Sequence, residues 1–208
     1  SLRQDPTKSA TKNASLSSVG INWTDKKYYV GLAQETHNDY FAVSGTASTA
    51  AAGSMYNAAA GLRSKDTATR FSVGDRVTGM RIGADTSTLK YTETSAQANG
   101  FQSYTTNTWQ VTGEYDLNSQ VTLAAQYANN GAGNCTLNGT ISCSTVGLGG
   151  NLVGFGAKYN LDRNFAIFAL VAKGSANSGA SISLGSGAGR TAIGGTINAA
   201  AVGIQARF

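Results

Sequence analysis

Apolar and polar residues alternate one for one through much of the 208-residue chain. In TNTWQVTGEYDL, Trp109, Val111, Gly113, Tyr115 and Leu117 share one side, and Gln110, Thr112, Glu114 and Asp116 the other. In VTLAAQYANN, Val121, Leu123, Ala125 and Tyr127 oppose Thr122, Ala124 and Gln126. In NLVGFGAKYNL, Val153, Phe155, Ala157, Tyr159 and Leu161 oppose Gly154, Gly156, Lys158 and Asn160. A period of two belongs to a strand with one dry and one wet face. The pattern predicts nine strands, at about 15–25, 26–39, 68–77, 80–93, 105–117, 121–130, 151–161, 165–176 and 196–208, with a polar loop over 1–14. Tight turns near Asp25, Gly79, Ser119 and Arg163 alternate with long loops. Antiparallel pairing then collects the turns at one end of the sheet and the long loops at the other, the asymmetry of transmembrane barrels. Two segments depart from the pattern. Parity slips near Leu89, as a β-bulge would cause, and FAIFALVA is apolar on both faces, as at a subunit contact.

Composition supports strands over helices. Glycine is plentiful at 26 residues, charged residues are only 13%, and runs of Leu, Glu and Lys at helical spacing are absent. The longest apolar run, 165–172, falls far short of the roughly 18 residues of a membrane helix. Any membrane span is therefore made of strands. No apolar leader is visible near the start, so a signal peptide is expected to have been removed or to lie upstream. The net charge of +5 is scattered, which excludes a nucleic-acid footprint and predicts a mildly anion-attracting surface. Cys135 and Cys143 bracket the Gly/Asn/Ser-flanked loop CTLNGTISC. A short-loop disulfide is favoured over free thiols and implies an oxidising compartment. With one His and no further Cys, a zinc site is not expected, and no cofactor is called for.

The aromatics weigh a membrane barrel against a soluble β-sandwich. Trp23, Tyr28, Tyr115, Tyr159, Phe165 and Phe208 fall near the short-turn end, and Trp109, Tyr127 and Tyr91 toward the long-loop end. Two aromatic bands around an apolar band containing Phe155 match the girdles of a lipid-facing wall. A sandwich would centre its large aromatics mid-strand. By parity the wet face carries Arg70, Arg76, Arg81, Lys158, Lys173, Arg207, Glu35, Asp85, Glu114 and Asp116, expected to line a pore. Asp75 falls on the lipid side, at headgroup level near a turn. Enzyme chemistry has little support. His37, in ETHND, reads as a surface-loop residue with no nucleophile motif around it, and the glycine runs lack a strand-to-helix context.

The stretches VGIQARF, YNLDRNFAIFALVAK and GINWTDKKYYVGLAQ resemble the C-terminal part of Gram-negative general porins of the beta-proteobacterial type. The resemblance runs from about Ser15 and is strongest in the last 60 residues. It implies an outer-membrane location and passive diffusion of small hydrophilic solutes through a water-filled barrel, with weak anion preference. It also implies contact with outer-membrane lipid or lipopolysaccharide, a homotrimer, and Phe208 as a terminal aromatic read by the assembly machinery. Such porins have about 16 strands, whereas nine are found here. An odd number does not close an all-antiparallel barrel. The remaining strands are expected from the N-terminal part of the same porin, as a separate or missing segment. A structural barrel within an envelope complex is the alternative.

Overall fold

A computed structural model describes residues 2–4, 15–38, 64–93, 101–137, 141–182 and 191–206. Ten strands form one antiparallel path: β1 (Leu2–Gln4), β2 (Ser15–Thr24), β3 (Tyr28–Asn38), β4 (Ser64–Val77), β5 (Met80–Glu93), β6 (Phe101–Asp116), β7 (Val121–Asn130), β10 (Gly150–Asn160), β11 (Phe165–Ala176) and β12 (Thr196–Ala206). Two more, β8 (Asn134–Leu137) and β9 (Ile141–Cys143), form a hairpin against β6. The nine expected strands are β2–β7 and β10–β12. Among the described residues no helix is long and apolar enough to cross a membrane, and β1 and β12 do not pair, so the sheet is open.

The departures from expectation share one cause. β4 starts at Ser64 and β6 at Phe101, each four residues early. In the added residues apolar and polar positions do not alternate (Ser-Lys-Asp-Thr over 64–67 and Phe-Gln-Ser-Tyr over 101–104), so the period-two signal disappears while the backbone pairing continues. Leu2–Gln4, expected in a loop, pair with Ser15–Ser17 as β1. No bulge occurs at Leu89: β5 pairs without interruption with β4 from Met80 to Glu93, and with β6 from Met80 to Thr92. The parity slip is purely compositional, with Thr86, Thr88 and Lys90 on the otherwise apolar side and Leu89 and Tyr91 on the polar side. The register shift that does occur lies between Phe101 and Ser103, against β8.

Three of the four tight turns are built by one device. Asp25 Oδ1 accepts the N–H of Lys27 and Tyr28, both at 2.6 Å. Asn118 Oδ1 accepts those of Gln120 and Val121, and Asp162 Oδ1 those of Asn164 and Phe165. A short acceptor side chain that satisfies the backbone two and three residues on reverses the chain locally. The fourth turn, Thr78-Gly79, uses the positive φ of 74° that glycine adopts without strain.

Register also fixes how the strands lean. Trp23 pairs with Val30, and Tyr28 lies two residues nearer the turns. Tyr28 aligns through Asp75 and Ile82 with Gly113, and Tyr115 lies two residues further. Tyr115 aligns through Leu123 with Ala157, two residues short of Tyr159. Tyr159 aligns with Ile167, two residues short of Phe165. The aromatic line thus drops eight residues over seven strand-to-strand steps. At about 3.3 Å per residue and about 4.8 Å between strands, a level aromatic line requires strands tilted by roughly 35–40°. That is the lean of a transmembrane barrel.

Candidate functional site

Residues paired in register share a face, so the pairing sorts every side chain. One face carries Val19, Ile21, Trp23, Leu32, Phe71, Ile82, Trp109, Tyr115, Phe155 and Ile204, all exposed. Val19, Ile21, Val202 and Ile204 are 70–83% exposed. Among the described residues no second sheet packs on this continuous apolar face. That removes the sandwich alternative, in which Trp109 and Phe155 would be interior, and fits a surface solvated by lipid.

The opposite face holds an ion-pair ladder across β4–β7 and β10. Arg81 Nε lies 2.6 Å from Glu114 Oε2, and its Nη2 lies 3.2 Å from Asp116 Oδ1. Thr122 donates its hydroxyl to Asp116 at 2.8 Å, and Lys158 stands directly across from Thr122. Arg76 is opposite Arg81, a like-charge pair that Glu114 and Asp116 offset. Higher up, Arg70 pairs with Asp85 at 3.0 Å, and Gln110 donates to the other Asp85 oxygen at 2.6 Å. A hollow over this face is lined by Asn22, Tyr29, Arg70, Ser72, Asp85 and Gln110.

The fold is that of an outer-membrane β-barrel. Outer-membrane expressed OmpT of Vibrio cholerae matches this chain with a TM-score of 0.63 over 94% of this chain and 57% of that one, at 12% identity. The chain therefore spans little more than half the length of that neighbour. No protein-family model and no curated protein matches the sequence.

On a barrel the polar, hollowed face is inner and the apolar face outer. Arg70, Arg76, Arg81, Lys158, Glu35, Asp85, Glu114 and Asp116 lie on the inner face as expected. Lys173 does not. It pairs with Val153 and Asn198, on the face of Phe155 and Val171, and so points outward. The parity reading failed there because both faces of β11 are apolar, leaving no contrast to set the phase. Tyr91 likewise belongs inside, its ring centroid 6.2 Å from that of Tyr104. Trp23, Tyr28, Trp109, Tyr115, Tyr127, Phe155 and Tyr159 do face outward, and Trp109 and Tyr127 pack at 5.3 Å. Asp75 is outward too, opposite Tyr28. Arg207 and Phe208 lie outside the described residues.

His37 is a strand residue rather than a loop residue. Its Nε2 lies 2.6 Å from Glu35 Oε1 and its Nδ1 2.9 Å from Asp66 Oδ2. With a carboxylate at each ring nitrogen, neither is placed to activate a nucleophile. Asp66 and Glu93 are inner-face carboxylates absent from the sequence expectation, because Asp66 precedes the expected start of its strand at 68 and Glu93 follows the parity slip at Leu89. The described inner face then carries four basic residues (Arg70, Arg76, Arg81, Lys158) and six acidic ones (Glu35, Asp66, Asp85, Glu93, Glu114, Asp116). The net charge of +5 is therefore not concentrated on this face, and the anion preference inferred from it has no support in this wall.

Cys135 and Cys143 are joined and stand opposite one another in the β8–β9 hairpin, with Cα atoms 5.2 Å apart. Cys135 also aligns with Tyr104 on the inner face. There Tyr104, Cys135, Tyr91, Cys143 and Leu148 form a small apolar cluster. The Tyr104 hydroxyl donates to the Ala132 carbonyl at 3.0 Å. The cysteine loop is thus a sheet extension packed on the inner side of β5 and β6.

Proposed function

We propose that this chain is part of the wall of an outer-membrane porin, a water-filled channel through which small hydrophilic solutes and ions diffuse passively. The observation that carries this reading is the division of faces. Across β2–β7 one side is solvated by charge, hydroxyl and amide groups, and the other is a belt of aliphatic residues edged by aromatics. Ion pairs such as Arg81–Glu114 and Arg70–Asp85 shape the field in a lumen without sealing it. Over β11 and β12 the inner face turns apolar, with Phe168, Leu170, Ala199 and Ala201. Passage is therefore steered along the β2–β7 side.

The rest of the wall comes from strands of the N-terminal part of the same porin. Among the described residues β12 has a partner only in β11, and β2 is paired on its β1 side only at Ser15–Ser17. Hydrocarbon does not tolerate such open edges. Homotrimer formation accords with the doubly apolar β11. The resident chemistry is permeation, not catalysis, and involves no cofactor. The test is conductance of the assembled protein across a planar bilayer. Stepwise openings that scale with salt concentration are expected. A stably inserted protein that passes no current overturns the channel and leaves a structural barrel.

A further inference from the structure

The inner face of β7, β10 and β11 differs from the rest of the lumen side. Three rungs of the ladder define it. Thr122, Lys158 and Phe168 form the rung nearest the turns, Ala124, Gly156 and Leu170 the next, and Gln126, Gly154 and Ala172 the third. Together they line a hollow of about 370 Å³. Its middle rung has no polar side chain, and Leu170 is exposed there. The floor is open because Gly156 is bare. At Gly203 and Gly31 a neighbouring ring, Phe168 or Tyr29, occupies the space of the missing side chain. At Gly156 an added Cβ would touch Ala169 O at 3.4 Å and Leu170 Cβ at 3.7 Å, both on the adjacent strand and both ordinary contacts. A side chain would fit at Gly156, yet among the described residues none fills the space. Glu114 also lines the hollow, but Arg81 holds it at 2.6 Å and holds Asp116 at 3.2 Å. Lys158 has no ion pair to any described residue. An apolar floor thus ends at one uncompensated ammonium group.

We infer that this hollow is a binding subsite for monocarboxylates with an apolar tail, the carboxylate at Lys158 and the tail over Gly156 against Leu170. The inference rests on the porin reading and deepens it, naming a solute class that the polar β2–β7 side does not favour. The hollow falls at the small end of the range for small-molecule sites, about 300–1,000 Å³, which suits a compact alkyl or aryl tail. A carboxylate gains a charge-assisted hydrogen bond from the ammonium group, and the tail gains by leaving water. A hydrophilic acid gains only the first and an apolar alcohol only the second, while an apolar amine meets a like charge. Because the hollow opens to the lumen, binding is shallow and reversible. A conducting path requires that a solute bind well enough to enter and weakly enough to leave.

The test adds acetate, butyrate, hexanoate, hexanol or hexylammonium to the assembled full-length protein in a planar bilayer at fixed chloride. Solute binding is read from interruptions of the single-channel current, and in parallel from saturation-transfer NMR on the nanodisc-held barrel, with empty nanodiscs subtracted. From acetate to hexanoate, affinity is expected to rise about twofold per added methylene, half the free energy of full burial. Hexanol and hexylammonium are expected to bind more weakly than hexanoate. K158Q should weaken hexanoate roughly fivefold, K158R should retain it, and G156L should fill the hollow and flatten the dependence on tail length. Equal affinity for acetate and hexanoate in wild type, or hexanoate binding unchanged in both K158Q and G156L, overturns the inference. So does failure of a water-soluble maleimide to label A124C through the open channel, which would mean that protein covers the floor. Heat-modifiable migration confirms that each variant has assembled. A barrel that binds hexanoate in the NMR measurement but passes no current refutes the porin reading and keeps the subsite. A conducting barrel without tail-length dependence refutes only the subsite.

Discussion

Gly203 sits directly opposite Phe168 on the inner face, and a Cβ added there would run into the Phe168 ring. The ring therefore lies across the bare glycine and covers its backbone. Gly31 serves Tyr29 in the same way, with the phenol oxygen 2.6 Å from where a Cβ would stand. Gly203→Val should displace Phe168 and cost about 1–3 kcal/mol, read as an earlier urea midpoint in detergent. Asp25 shows a residue set by its turn. The N–H groups of Tyr28 and Lys27 stabilise its charged form and hold its carboxyl below the ordinary carboxylate range. A lowered folded pKa gives stability that is present above the unfolded value and lost as pH falls through the folded one. Asp25→Asn keeps an acceptor oxygen without the titration. Thermal scans should therefore show wild type losing ground to Asp25→Asn on acidification, while the two change in parallel near neutral pH.

Among the elements, the β8–β9 hairpin has the least support from its own sequence. Its two strands are four and three residues long, too short for an independent hairpin. It is held by the Cys135–Cys143 bridge, by pairing to β6, and by the Tyr91–Tyr104 stack beneath it. A bridge closing so short a loop contributes about 2–3 kcal/mol. Because β6 pairs independently with β5 and β7, that contribution is local. Reduction should expose the 131–149 segment to protease while leaving the strand circular dichroism and bilayer conductance intact. Global loss of strand signal on reduction would show that the hairpin supports the wall itself.

For the whole molecule, faces and tilt matter more than any single contact. Tilted strands bring the outward aromatics of β2, β3, β6, β10 and β11 to one level, although they fall eight residues apart in register. The same geometry brings charges from separate strands into one lumen field. Arg81 is the pivot of that field because it faces both Glu114 and Asp116. Arg81→Gln leaves two carboxylates without their guanidinium and makes the wall more acidic. Its stability cost should be modest, about 1 kcal/mol or less, since the groups are partly solvated. Its effect on permeation should be larger. The reversal potential in a salt gradient should move toward cations relative to wild type, and an unchanged or anion-shifted potential would exclude Arg81 from the conducting path.

The alternation of side chains by itself determined the strands, their turns and the outer belt, because a half-wet strand has to repeat with period two wherever its two environments differ. It correctly placed eight charged residues, from Glu35 to Lys158, on one face. Where the environments are alike the signal vanishes. The polar start of β4 hid Asp66, the parity slip at Leu89 on β5 hid Glu93, and the doubly apolar β11 put Lys173 on the wrong side. Only hydrogen-bond register across neighbouring strands settles those cases, since it transfers the phase from a strand that has contrast to one that has none. Tertiary structure alone decided which charges meet and that His37 lies between two carboxylates. Contacts such as His37–Asp66 and Arg81–Glu114 join residues 29 and 33 positions apart, linked by backbone pairing that one-dimensional spacing does not encode.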